Sequence, residues 1–101
     1  MRITYSTNVI RSFKNKETEL IYGQRRSKRF PPEIQRRALV KMMLIDSAET
    51  VADLTAPPFN KLEKLSAVRS GEYSIRINRQ WRICFRFESG DAFDVGIEDY
   101  H

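Results

Sequence analysis

Two runs of alternating side chains between residues 81 and 98 restrict the fold more than any other feature. In the first run Trp81, Ile83, Phe85 and Phe87 alternate with Arg82, Cys84 and Arg86. In the second, Phe93, Val95 and Ile97 alternate with Asp94, Gly96 and Glu98. A period of two places one face of each strand on a core and leaves the other to solvent or a ligand. Ser89-Gly90-Asp91 supplies turn chemistry between the runs, so a hairpin is expected. Upstream, Tyr73, Ile75 and Ile77 alternate with Ser74, Arg76 and Asn78, and Asn78-Arg79-Gln80 turns that strand into Trp81. Lys61-Leu62-Glu63-Lys64-Leu65 reads as one more short strand, with Leu62 opposite in facing to Glu63.

The first half of the chain reads as helical. Val9-Ile10-Arg11-Ser12-Phe13 is β-prone and is a candidate first strand. Asn15 can cap a short helix through Leu20, Ile21 and Tyr22, and Gly23 stops it. Pro31-Pro32-Glu33 opens the main helix, because proline is tolerated in a first turn and glutamate suits its positive end. Ile34, Ala38, Met42 and Ile45 form its apolar stripe, with Leu39 beside them and Arg36, Arg37 and Lys41 away from its centre. Met42 and Met43 read as core filler. Val51-Ala52-Asp53-Leu54 is a further helical turn ended by Pro57-Pro58. Early helices and late hairpin strands predict an α+β fold, with helices on one face of a mostly antiparallel sheet. The 101 residues are expected to form a single domain, with residues 1–8 a poorly ordered or variable extension.

The net charge of +5 is unevenly spread. Seven basic residues and one acid lie between residues 24 and 41, and seven basic residues and two acids between residues 61 and 86, whereas residues 87–101 hold five acids and no Lys or Arg. Together the two basic clusters favour phosphate-bearing partners, although each residue alone could simply solvate a loop or helix face. No apolar run is long enough to span a membrane, and one cysteine makes no internal disulfide, so a cytoplasmic location is expected. One histidine and one cysteine give no recognised metal-ligand spacing, and no cofactor is expected. Cys84 reads as a small apolar filler. Pairing it with His101 as a nucleophile is formally open, but its core-like strand argues against it.

RNA cleavage without a metal suits the remaining residues better. It needs a base for the 2′-hydroxyl, an acid for the leaving 5′-oxygen and cations for the charge on the phosphoryl oxygens. His101, the protein's one histidine, can serve as acid or base. Tyr100 can donate or accept a hydrogen bond, and Asp99 can orient the imidazole. Arg82 and Arg76 can hold phosphate, bidentately where geometry permits. Read alone, Asp99-Tyr100-His101 fits a frayed polar tail at least as well.

The segment GEYSIRINRQWRICFRFESGDAFDVGIEDYH resembles the HigB-type, or proteic-killer, branch of the RelE toxin superfamily, toxins of bacterial type II toxin–antitoxin modules. The likeness runs from about Val9 through LEKL to the terminal EDYH. It implies the small RelE-like fold and ribosome-dependent cleavage of mRNA in the A site. It also implies a HigA-type helix-turn-helix antitoxin as partner, with operator DNA bound only through that antitoxin. Asp99, Tyr100 and His101 match the family's terminal catalytic residues, and Arg82 matches the arginine that contacts the scissile phosphate. Some relatives carry a histidine where this chain has Glu63, and Ser66-Ala67 replaces a Lys-Gly pair often found just after. Glu63 is therefore a candidate base, or a group that positions the 2′-hydroxyl. Arg76, Arg79, Lys61, Lys64 and Arg69 are candidate RNA contacts. No aromatic residue is interleaved with the basic residues as a platform for single strands, so these cations are expected to dock on ribosomal RNA. A non-catalytic or weakened relative that binds RNA or the ribosome is the alternative.

Overall fold

β3 (Trp81–Glu88) and β4 (Asp91–Asp99) form the expected antiparallel hairpin in a computed structural model that describes residues 8–100. The expectation for residues 1–7 and the role given to His101 fall outside the described residues. β2 (Glu72–Arg76) pairs antiparallel with β3, and a two-residue β1 (Glu63–Lys64) pairs with β2, giving the order β1-β2-β3-β4. Two helices, α1 (Lys16–Tyr22) and α2 (Pro32–Asp46), pack on one face of this sheet, as an α+β reading requires. Ile75, Ile77, Ile83, Phe85, Ala92 and Val95 are fully buried against them.

The local signals act as anticipated in both helices. The Asn15 side chain accepts from Thr18 N at 2.8 Å, and Gly23 N closes α1 on Glu19 O. Pro32 opens α2, and Ile34, Ala38, Met42 and Ile45 bury its stripe. Two expectations for α2 are corrected. Met43 is 58% exposed and fills no core, because it is turned about 100° around the helix from Met42, away from the buried stripe. Lys41 does not solvate the helix face: it is 5% exposed and donates to Asn60 Oδ1 at 2.5 Å. Asn60 in turn donates to Leu54 O and Ala56 O, which fastens the loop after the 3-10 helix Val51–Thr55 to α2. No helix among the described residues is long and apolar enough to cross a membrane.

Residues 9–13 are not a regular strand. Ile10 and Phe13 make isolated parallel bridges to Ala92 and Val95. The reason is a bulge in β4 between those two positions. Cys84 faces Gly96 but Arg86 faces Phe93, so β4 carries one residue more than β3 there, and Asp94 takes φ 56°. The bulge also corrects the expected alternation of Phe93, Val95 and Ile97. Ala92, Val95 and Ile97 face the core, while Phe93 is turned to the outer face, where the Arg86 guanidinium lies 5.1 Å from its ring centroid. Gly96 is needed at its position, since a Cβ there would approach Lys14 Cβ to 2.9 Å.

Candidate active site

Directly paired residues on antiparallel strands point to the same face. Arg76 faces Arg82 across β2–β3, Glu98 faces Arg82 across β3–β4, and Glu63 faces Ser74 across β1–β2. These side chains therefore share the sheet face away from the helices. Arg82 lies at their centre, and its position differs from the open polar face expected of it. It is 6% exposed, with Nε donating to Ser74 Oγ at 2.8 Å and Nη2 donating to Ser74 O at 3.3 Å and to Lys61 O. The Tyr100 ring covers it, 5.2 Å from the guanidinium carbon. Nη1 has no partner among the described residues. Burial with two fixed nitrogens pre-orients the fork.

Lys61 builds this site through its backbone. It caps the 3-10 helix Pro58–Asn60 in a left-handed conformation, φ 45°, which turns its carbonyl to Arg82. Its side chain is exposed. Glu63 is also exposed, two strands from Arg82 on the same face. Lys64 pairs with Tyr73 and so has the opposite facing.

The candidate residues at the end of β4 are split. Tyr100 N donates to Gln80 O at 2.6 Å, which fixes its ring over Arg82. Asp99 pairs with Trp81 and takes the helix side, where its carboxylate accepts from Gln80 Nε2 at 3.1 Å. It lines a cleft of about 280 Å³ with Asn15, Arg29, Phe30, Trp81 and Ile97. Asp99 and Tyr100 thus do not form one cluster.

Arg69, a candidate RNA contact, is paired with two carboxylates. Its Nε and Nη2 reach Glu72 Oε1 at 3.1 and 2.8 Å, and Nη1 and Nη2 reach Glu98 at 3.0 and 2.8 Å. The Arg69 hydrogen bonds, with help from Lys14, hold the Glu98 carboxyl below its usual range. Cys84 is 1% exposed, and burial, then the Glu98 charge, pushes its thiol up to about 12. That suits the filler reading and removes it as a nucleophile at neutral pH. Arg79 is exposed in the turn before β3.

One cluster was not visible in the sequence. Phe59 is 43% exposed, and Arg37, Lys41 and Arg76 place their charged ends 5.6, 5.3 and 5.3 Å from its ring centroid. Four residues from three separate segments meet there, so no local spacing announces it. The expectation that no aromatic is interleaved with the basic residues is thereby overturned.

The family model for the RelE-like toxin of the type II toxin–antitoxin system HigB matches residues 11–101. The chain belongs to the HigB-like toxin family. This HigB-like toxin is 33% identical over 93 residues to Endoribonuclease HigB of Proteus vulgaris, covering 92% of this chain and 100% of that one. It is 32% identical over 89 residues to Toxin HigB-1 of Vibrio cholerae, covering 87% and 94% of the two chains. An uncharacterized protein of Haemophilus influenzae is 30% identical over 79 residues, covering 78% and 77%. Membership of a type II toxin family implies an antitoxin partner.

Proposed function

We propose that this HigB-like toxin is a metal-independent endoribonuclease that cuts mRNA in the ribosomal A site and so arrests translation. The observation that carries the reading is Arg82, buried beneath Tyr100 with its fork fixed by Ser74 and Lys61. In the proposed reaction the 2′-hydroxyl attacks the adjacent phosphorus and the bond to the 5′-oxygen breaks. A 2′,3′-cyclic phosphate and a 5′-hydroxyl result. Arg82 neutralises charge developing on the phosphoryl oxygens. Glu63 takes the 2′-hydroxyl proton or positions that group, and His101 supplies the proton to the leaving oxygen. Tyr100 holds the guanidinium in place. Asp99, on the other sheet face, acts through the strand end by its bond to Gln80. Acid, base and cation are all protein side chains, so the scheme needs no metal.

The partner in this reading is a HigA-type helix-turn-helix antitoxin, through which alone operator DNA is bound, and the site of action is the cytoplasm. The name of the Proteus vulgaris relative supports the endoribonuclease assignment. Basic clusters that suit docking on ribosomal RNA support ribosome dependence. The test is induction in bacteria, with primer extension to map cuts in translated and naked mRNA. Cuts in translated message alone are expected. Growth arrest without cuts favours the non-catalytic binding module, and equal cutting of naked message removes the ribosome from the mechanism.

A further inference from the structure

The geometry points to Phe59, with Arg37 and Arg76, as a platform on which an unpaired nucleotide beside the scissile phosphate of the RNA stacks. The inference rests on the reading of the protein as an RNA-cleaving toxin and adds a place for its substrate. Three observations converge. A phenylalanine ring is 43% exposed on a single 3-10 turn, where burial would have been favourable. Three cations surround it, and each gives its described hydrogen bond to a neutral acceptor: Arg37 Nη1 to Ile77 O, Arg76 Nε to Asn78 O, and Lys41 Nζ to Asn60 Oδ1. None is ion-paired with a carboxylate among the described residues, so three like charges gather without a protein counterion. Burial, and then the nearby Arg37 charge, lowers the Lys41 pKa, as expected of crowded cations awaiting an anion.

The platform is also joined to the candidate site. Arg76 is the direct cross-strand neighbour of Arg82. Lys61, two residues after Phe59, gives its carbonyl to Arg82. A phosphate held at Arg82 therefore leaves the next nucleotide within the span of the Phe59 ring and the two guanidinium planes. Aromatic rings and arginine planes both stack on bases, and arginines at the rim take the flanking phosphates.

The test uses the full chain, freed of antitoxin, and an end-labelled single-stranded 2′-O-methyl oligonucleotide that cannot be cut. Affinity is read by fluorescence anisotropy at low salt. Loss of a stacked base costs roughly 5- to 150-fold in affinity, which is expected for Phe59→Leu. Phe59→Tyr should bind as wild type, because it keeps the ring. Arg37→Gln should weaken binding and lower the salt slope by about 0.7. In translated-mRNA cleavage Phe59→Leu should raise KM and leave kcat near wild type. Unchanged affinity in Phe59→Leu with an unchanged melting temperature overturns the platform, as does no binding by the wild type or a loss confined to antitoxin binding. Should Phe59→Leu unfold, Arg37→Gln decides: unaltered affinity and salt slope overturn the proposal. A wild type that binds the oligonucleotide through Phe59 but never cuts mRNA defeats the nuclease reading alone.

Discussion

Arg82→Ala tests the proposed chemistry and the architecture of the sheet together. The guanidinium makes hydrogen bonds to Ser74 Oγ at 2.8 Å and to Lys61 O, and is covered by the Tyr100 ring. Hydrogen bonds from a charged donor contribute about 1.5–3 kcal/mol each, and a cation–π contact adds roughly 1 kcal/mol. The lost hydration of a buried guanidinium offsets a large part of that sum. A net loss of about 2–3 kcal/mol is expected, which lowers the melting temperature of a domain this size by roughly 10–20 °C. Removing a donor that stabilises transition-state charge lowers the rate by about 10²–10³-fold. Thermal denaturation followed by circular dichroism and single-turnover cleavage of ribosome-bound mRNA, below the variant's melting temperature, read the two effects separately. Arg82→Lys keeps the charge without the fork and should recover little activity. Wild-type cleavage by Arg82→Ala would refute the assignment of Arg82 to the phosphate. An unchanged melting temperature would refute the structural half of the reasoning.

Four smaller expectations follow from the same geometry. Glu63→Gln should slow single-turnover cleavage by about 10²–10⁴-fold if Glu63 is the base, without lowering stability, because the side chain is exposed; an unchanged rate moves proton transfer elsewhere. Tyr100→Leu should lower activity more than Tyr100→Phe, since only the latter keeps a ring over Arg82; equal rates for the two would discard the stacking role. Cys84 should resist iodoacetamide at pH near 8 until the protein unfolds, since its thiol is pushed up to about 12; rapid labelling of folded protein would contradict its burial. Glu98, with its folded pKa depressed, contributes stability that is present above the unfolded glutamate value of about 4.3. That contribution is lost as pH falls through the lower folded value. Glu98→Gln should therefore flatten the loss of stability in acid, and an identical pH profile would remove Arg69–Glu98 from the balance.

What was legible in the sequence was what local chemistry determines. Asn15 and Gly23 bound α1, Pro32 opens α2, and the spacing of Ile34, Ala38, Met42 and Ile45 sets its buried stripe. The adjacency of β2, β3 and β4 followed from the turns at residues 78–80 and 89–91, whereas the place of β1 beside β2 did not. Arg82 was legible as a candidate site residue, but its burial was not, because it depends on Lys61 in a 3-10 cap and Ser74 on the neighbouring strand. Lys41 read as solvated because its partner, Asn60, lies across a loop. Arg69 read as a free cation although Glu72 lies three residues on, and its second partner, Glu98, is 29 residues away in the chain. The Phe59 cluster depends wholly on tertiary placement: a ring in one loop meets two residues of α2 and one of β2.

The split between Asp99 and Tyr100 traces to one residue in the middle of β4. Without the bulge, the pairing set at the turn, with Arg86 opposite Phe93, would continue unbroken. Arg82 would then face Ile97, and Glu98 would lie opposite Trp81 on the helix side. Asp99 would come to the Arg82 face and Tyr100 would leave it, since a one-residue slip exchanges the two faces of a strand. The extra residue prevents this: Arg82 faces Glu98, and Tyr100 stacks on the guanidinium. Asp94 can take its positive φ because aspartate tolerates that conformation better than a β-branched residue. Its backbone nitrogen is held by Ser12 Oγ at 2.9 Å, and Val95 N by Ser12 O at 3.1 Å, so residues 9–13 lock the bulge from outside the sheet. The β-prone segment read as a first strand thus has a different use. It fixes the register that decides which of the terminal side chains stands beside Arg82.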